Sequence, residues 1–118
     1  MLQRTTSFHE VSHPIYDGMV TYKGLREARV SEYVSRNAAK YLAAHGAALV
    51  GIDSPSIDDT TKSSRPVNTI LLRRNIPFIE HMINLENVPK TGGKFFAVPP
   101  RIKKVGCFPV RAFIIANS

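Results

Sequence analysis

Gly51–Glu80, GIDSPSIDDTTKSSRPVNTILLRRNIPFIE, is the stretch that decides the fold. It begins at the end of an apolar run, Ala47–Ile52, which suits a short buried strand. Asp53–Ser64 follows, acidic and rich in Ser and Pro, and is loop by composition. Arg65-Pro66 opens a predicted helix over Val67–Arg74, with Pro66 in its first turn, where a missing N–H costs nothing. Ile70, Leu71 and Arg74 form its mostly apolar stripe, and Asn75 suits the left-handed position that ends it. Ile76–Ile79 then reads as a second strand, ending on the carboxylate of Glu80.

Working outward, Ser35 is an expected N-cap for a helix over 35–45. Ala38, Leu42 and His45 share its predicted inner face, with Tyr41 beside them, and Gly46 suits the C′ position. Two helix-to-strand units in succession predict α/β layering. The ends of the chain are β-rich: Phe8–Ile15, Lys94–Val98 and Val110–Ala116 read as strands, and Met19–Tyr22 as a further short one. Residues 1–7 are expected to fray. Tyr16-Asp17-Gly18, Lys23-Gly24 and Thr91-Gly92-Gly93 are turn signals, and Asn84–Val88 is one helical turn stopped by Pro89. A single α/β domain over 1–118 with a mixed sheet is the expectation.

The chain has 118 residues, 43% hydrophobic and 21% charged, which suits one small core and argues against disorder. No apolar run approaches the roughly 20 residues of a membrane helix, and the N-terminus shows no secretory h-region. The lone Cys107 rules out an internal disulfide, suits a reducing cytoplasm and is expected in the core. The formal charge is +7, but the sixteen Lys and Arg are spread along the chain. The densest groups are Arg73-Arg74 and Arg101-Ile102-Lys103-Lys104, and they read as solvated surface charge. No nucleic-acid or membrane partner is expected.

Three constellations could carry chemistry. His9-Glu10-Val11-Ser12-His13 matches H-E-x-x-H, a zinc motif that works only on a helix. Pro14 disfavours helix at His13, and strand alternation puts His9, Val11 and His13 on one face with Glu10 on the other. Asp53, Asp58 and Asp59 follow a strand end, but with Ser54 and Ser56 they are better suited to turns and helix capping than to a metal. Glu80, with His81 beside it, is either a base or ligand or the first exposed residue after an apolar strand.

Taken in order, several pieces resemble the cyclase family of metal-dependent hydrolases, whose bacterial members include kynurenine formamidase. They are Glu10–Ile15 with Asp17-Gly18-Met19, Gly51–Asp58, and Arg65-Pro66-Val67 through Leu71-Leu72. Ile76-Pro77 to Glu80 follows with Asn84-Leu85, then Phe96–Pro100 and Pro109–Ala112. The resemblance implies a swivelling β/β/α fold with a mixed sheet, usually in a homo-oligomer. It implies hydrolysis of a small-molecule amide, such as N-formylkynurenine or an isatin-like ring, in tryptophan catabolism to kynurenine. It also implies a zinc or manganese ion that activates water and polarises the carbonyl.

The sequence departs from the family at its metal centre. The family's central H-x-G-T-H-x-D-x-P segment has no counterpart, and around residues 26–34 the chain jumps from the family's N-terminal part to its C-terminal half. The late metal-binding His of the R-P-V-H run is Asn68 here, while the carboxylate twelve residues later survives as Glu80. Tyr22 falls where the family often places an aromatic residue over substrate. A catalytic zinc typically needs about three protein ligands. The expectation is therefore a shortened domain, missing its middle, with Glu80 a vestigial ligand and no metal held by this chain alone. Catalysis is not expected without help. His81, Asp53 and the N-terminal His residues are candidates for a rearranged metal site, and a small interaction module is the reading from another class. Self-association, or pairing with a full-length relative, is expected of a layered domain left with uncovered apolar faces.

Overall fold

The computed structural model describes residues 6–14, 33–59 and 61–117. These form two compact units, one from residues 1–14 and 82–118, the other from residues 15–81. The predicted turns at 16–18 and 23–24, the strand 19–22 and the substrate candidate Tyr22 lie outside the described residues.

The first unit is an antiparallel sheet of three strands, β1 (Thr6–Glu10), β4 (Gly93–Val98) and β5 (Arg111–Asn117), in the order β1-β5-β4. Thr6 and Ser7, expected to fray, pair with Asn117 and Ala116 instead, because the ladder to β5 runs to the start of β1. Phe8 faces Ile115, and Phe96 faces Phe113. The rings of Phe8, Phe113 and Phe96 stack across the three strands at centroid distances of 5.1 and 5.0 Å, close to the strand spacing itself. The opposite face carries Ala112 and Ala116, both fully buried. Beyond Glu10 the Ser12 side chain takes over the ladder: its Oγ accepts from the Ala112 N–H at 3.1 Å. The outer edge of β1 at this end is closed by Ile83 N–H to Val11 O and by the Asn84 amide to Glu10 O, both at 3.0 Å. The expected helical turn is a short 3₁₀ segment, Leu85–Asn87.

H-E-x-x-H is not helical. His9 and Glu10 are in β1, where His9 Nε2 meets Ser7 Oγ at 2.9 Å, two residues away on the same face. Glu10 forms a two-pronged ion pair with Arg111, at 3.2 and 3.0 Å. Cys107, expected in the core, is exposed, because Pro99–Pro109 forms an open connection between β4 and β5.

The second unit holds α1 (Arg36–Ala44), β2 (Val50–Gly51), α2 (Pro66–Arg73) and β3 (Phe78–Ile79). Ser35 caps α1, its Oγ accepting from Ala38 N–H at 3.1 Å. Both helices end in left-handed residues, Gly46 (φ 76°) and Asn75 (φ 56°). After each, an N–H returns to the last turn: Ala47 to Leu42 O at 3.1 Å, and Ile76 to Leu71 O at 3.0 Å. The inner face of α1 is rotated one position from the expected one. Ala39 is fully buried and Ala43 packs beside it, whereas Ala38 and His45 are exposed. Small residues at i and i+4 let α1 lie close to Val67 and Leu71 of α2. His45 turns outward to stack on Tyr41, ring centroids 3.9 Å apart.

β2 and β3 pair in parallel, Val50 with Phe78 and Gly51 with Ile79, as two helix–strand units require. Both are shorter than the predicted 47–52 and 76–79. Ala47 and Ile76 donate their N–H groups to helix ends, and Pro77 has none to donate. The core of this unit is Ala39, Ile57, Val67, Leu71 and Ile76. The chain therefore has α/β character with both antiparallel and parallel pairing, each in its own unit.

Candidate functional site

The loop after β2 is built from side chains that replace backbone partners. Ser54 Oγ accepts from Ser56 N–H at 3.4 Å, and Ser56 Oγ from Asp58 N–H at 3.3 Å. Asp59 Oδ1 accepts from the Thr61 N–H at 3.0 Å and the Thr61 hydroxyl at 2.6 Å. These turns hold Ile57 and Asp58 against the start of α2. Arg65, in the N-cap position, supplies no side-chain acceptor there. Asp58 supplies one from the loop: it is 2% exposed, with Oδ1 accepting from Val67 N–H and Oδ2 from Asn68 N–H, both at 2.9 Å. Two of the helix's unpaired N–H groups are thereby satisfied.

Asn68 is held by the same carboxylate. Its Nδ2 donates to Asp58 Oδ2 at 2.9 Å. Glu80, half-buried just past β3, lies at the other end of the same dipeptide: its Oε2 accepts from Ile57 N–H at 2.7 Å. Burial pushes the Glu80 carboxyl above the ordinary glutamate range. The Ile57 N–H opposes this, the negative Asp58 adds to it, and Arg65 opposes it. His81 follows in a left-handed conformation (φ 61°), and its N–H donates to Ser54 O at 2.8 Å.

Asp58, Asn68 and Glu80 thus gather around Ile57-Asp58. Asp53 is exposed on the same loop, and His9 and His13 belong to the first unit. As a donor set for zinc or manganese the gathered residues do not fit. Both Asp58 oxygens receive N–H donors, Asn68 offers only a neutral amide oxygen, and Glu80 Oε2 accepts from the Ile57 N–H. Among the described residues no group of three or more His, Cys, Asp or Glu is placed to hold a metal ion. The turn-and-cap role expected for the loop's short acids is the one Asp58 and Asp59 fill. Less evident in the sequence was that Asp58 reaches Asn68. The available signal was a helix opening Arg-Pro, which lacks an N-cap acceptor of its own and must borrow one.

Comparison with known proteins agrees with this architecture. The kynurenine formamidase of Bordetella avium (strain 197N) is 33% identical over 75 residues, covering 64% of this chain and 35% of that protein. The kynurenine formamidase of Polaromonas naphthalenivorans (strain CJ2) is 32% identical over 73 residues, covering 62% of this chain and 32% of that protein. A solved structure described as a potential metal-dependent hydrolase with cyclase activity superimposes with a TM-score of 0.60 at 28% identity, over 73% of this chain and 42% of that one. Over this part the chain is similar to proteins of the cyclase family. The chain spans about a third of the length of the curated relatives it matches. No family model matches it.

Proposed function

We propose that this chain is a shortened arylformamidase-like domain, of swivelling β/β/α descent, that does not hydrolyse formamides on its own. The related activity is hydrolysis of N-formylkynurenine or a similar aryl formamide or cyclic amide in tryptophan catabolism, using zinc or manganese. The observation that carries the reading is the 2.9 Å bond from Asn68 Nδ2 to Asp58 Oδ2. At the family's ligand position, the side chain serves to tie down the start of α2. Glu80 remains as a vestige, engaged with the Ile57 N–H. Tyr22 is the proposed substrate-facing aromatic. The lone Cys107 is consistent with a reducing cytoplasm, and among the described residues no helix is long and apolar enough to cross a membrane.

Association with a second copy or with a complete relative belongs to the same reading. Phe8, Phe96, Val98 and Ile115 are all exposed on one face of the antiparallel sheet, a surface suited to burial against another chain.

Purified chain incubated with N-formylkynurenine, with and without zinc or manganese, is expected to release no kynurenine above the metal-only control. Calorimetric titration with either metal is expected to give only heat of dilution. Turnover, or a tightly held metal coordinated by the chain's own side chains, would refute the proposal. Co-elution with a full-length relative on size exclusion supports the pairing, and unchanged elution of both rejects it.

A further inference from the structure

From Asn87 to Ser118 the chain contains no Asp or Glu, but it carries Lys90, Lys94, Arg101, Lys103, Lys104 and Arg111. Half of these cations lie on the connection between β4 and β5, where every residue from Pro99 to Pro109 is exposed. The same connection holds out three large apolar side chains, Ile102 at 52%, Val105 at 42% and Phe108 at 40% exposure. Single exposed apolar residues are ordinary on protein surfaces. Three within seven positions, interleaved with Arg101, Lys103 and Lys104 and with no acid among them, form a cationic, apolar edge.

We propose that this loop docks on an anionic lipid surface, with Ile102, Val105 and Phe108 entering the headgroup boundary and Arg101, Lys103 and Lys104 meeting lipid phosphates and carboxylates. Charge and geometry select this occupant. A second copy of the loop would bring like charges together without a carboxylate to pair them. A single-stranded nucleic acid needs aromatic faces to stack on. The loop itself offers one ring, Phe108, beside the aliphatic Ile102 and Val105, and so lacks a run of faces for successive bases. Arg111 is paired to Glu10, whereas Arg101, Lys103 and Lys104 stand together beside the exposed apolar side chains of the loop. Long cationic side chains around small apolar anchors suit the interface, because the stems sit among headgroups while the charges remain wet.

The test is sedimentation of the 118-residue chain with phosphatidylcholine vesicles, with and without phosphatidylserine. Binding is expected with phosphatidylserine at low salt, with release as salt rises. Lys103→Gln and Lys104→Gln are each expected to weaken it roughly fivefold. Ile102→Ser with Phe108→Ser is expected to weaken it further, with thermal unfolding unchanged because both sites are exposed. An environment-sensitive dye on Cys107 gives a second readout in the unaltered fold, and its emission is expected to shift to the blue on the anionic vesicles. The proposal is overturned by failure to sediment at low salt, by equal binding to pure phosphatidylcholine, or by an unshifted dye. Retention of oligouridylate in place of vesicles overturns it too.

Discussion

Asp58 and Asn68 form one locked unit: a single carboxylate takes the backbone and side-chain N–H groups of Asn68, each at 2.9 Å, together with the N–H of Val67. The start of α2 is anchored by a residue that precedes it by a whole loop. Asp58→Ala is therefore expected to cost about 2 kcal/mol or more, combining a lost cap with buried N–H groups left unpaired. Asp58→Asn, which keeps one acceptor, is expected to cost less. Urea unfolding followed by circular dichroism measures both, and equal losses would contradict the shared-cap geometry.

Glu80 predicts a pH dependence. Its native carboxyl holds a proton above the ordinary glutamate range, first because of burial. Between that range and the native value, the folded chain binds a proton the unfolded chain has released. The stability linked to Glu80 is therefore present at lower pH and is lost as pH rises through the native value. Glu10 and Asp59 act in the opposite sense. Their carboxyls are lowered chiefly by Arg111 and Thr61 respectively, and their contributions are lost on acidification. Glu80→Gln keeps an acceptor for Ile57 N–H, so the variant is expected to gain on the native chain as pH rises above the ordinary glutamate range. Parallel melting-temperature profiles would count against it.

A histidine at position 68 is not expected to create a metal site. Asn68→His should lose the 2.9 Å amide bond to Asp58, at about 1 kcal/mol, and should still show no zinc binding by calorimetry. A one-to-one binding isotherm would show that the remaining donors suffice.

Gly46 ends α1 with φ 76° and open space where a β-carbon would stand. Gly46→Ala is expected to destabilise by about 1 kcal/mol through backbone strain alone, since no atom lies where the added methyl would go. An unchanged melting temperature would mean the helix ends some other way in solution.

Gly93 opens β4 opposite Ala116, and a Cβ there would meet Ile114 Cγ2 at 2.8 Å. That methyl sits on a β-branched residue held in the central strand, so it cannot swing aside cheaply. Gly93→Ala is expected to cost about 1–2 kcal/mol, and Gly93→Ala with Ile114→Val to cost no less, because Val keeps a γ-methyl. Full recovery in the double variant would point to a different contact.

Local signals were legible wherever one residue's own backbone preference settled the outcome. Ser35 as a cap, Pro66 in a first turn, and Gly46 and Asn75 as left-handed ends each depend on neighbours within a few positions. Pro14 argued against a helical H-E-x-x-H, and β1 contains His9 and Glu10 as strand residues. Legibility fell where partners come from afar. The inner face of α1 was misplaced by one position, because the close approach of α2 selects Ala39 and Ala43 over Leu42 and His45. The strands around Val50 and Phe78 were overextended, because the N–H groups of Ala47 and Ile76 are taken by the helices before them. Cys107 is exposed rather than in a core, since apolar neighbours in sequence say little about a long exposed connection.

By itself the sequence determined most element types and the chemistry available at each position, because those follow from side-chain identity and short-range spacing. The tertiary structure alone decided what Asn68 and Glu80 are engaged with. A hydrogen bond between loop and helix start depends on where the core of Ile57, Val67 and Leu71 draws the two together, and that placement is set by packing across the fold.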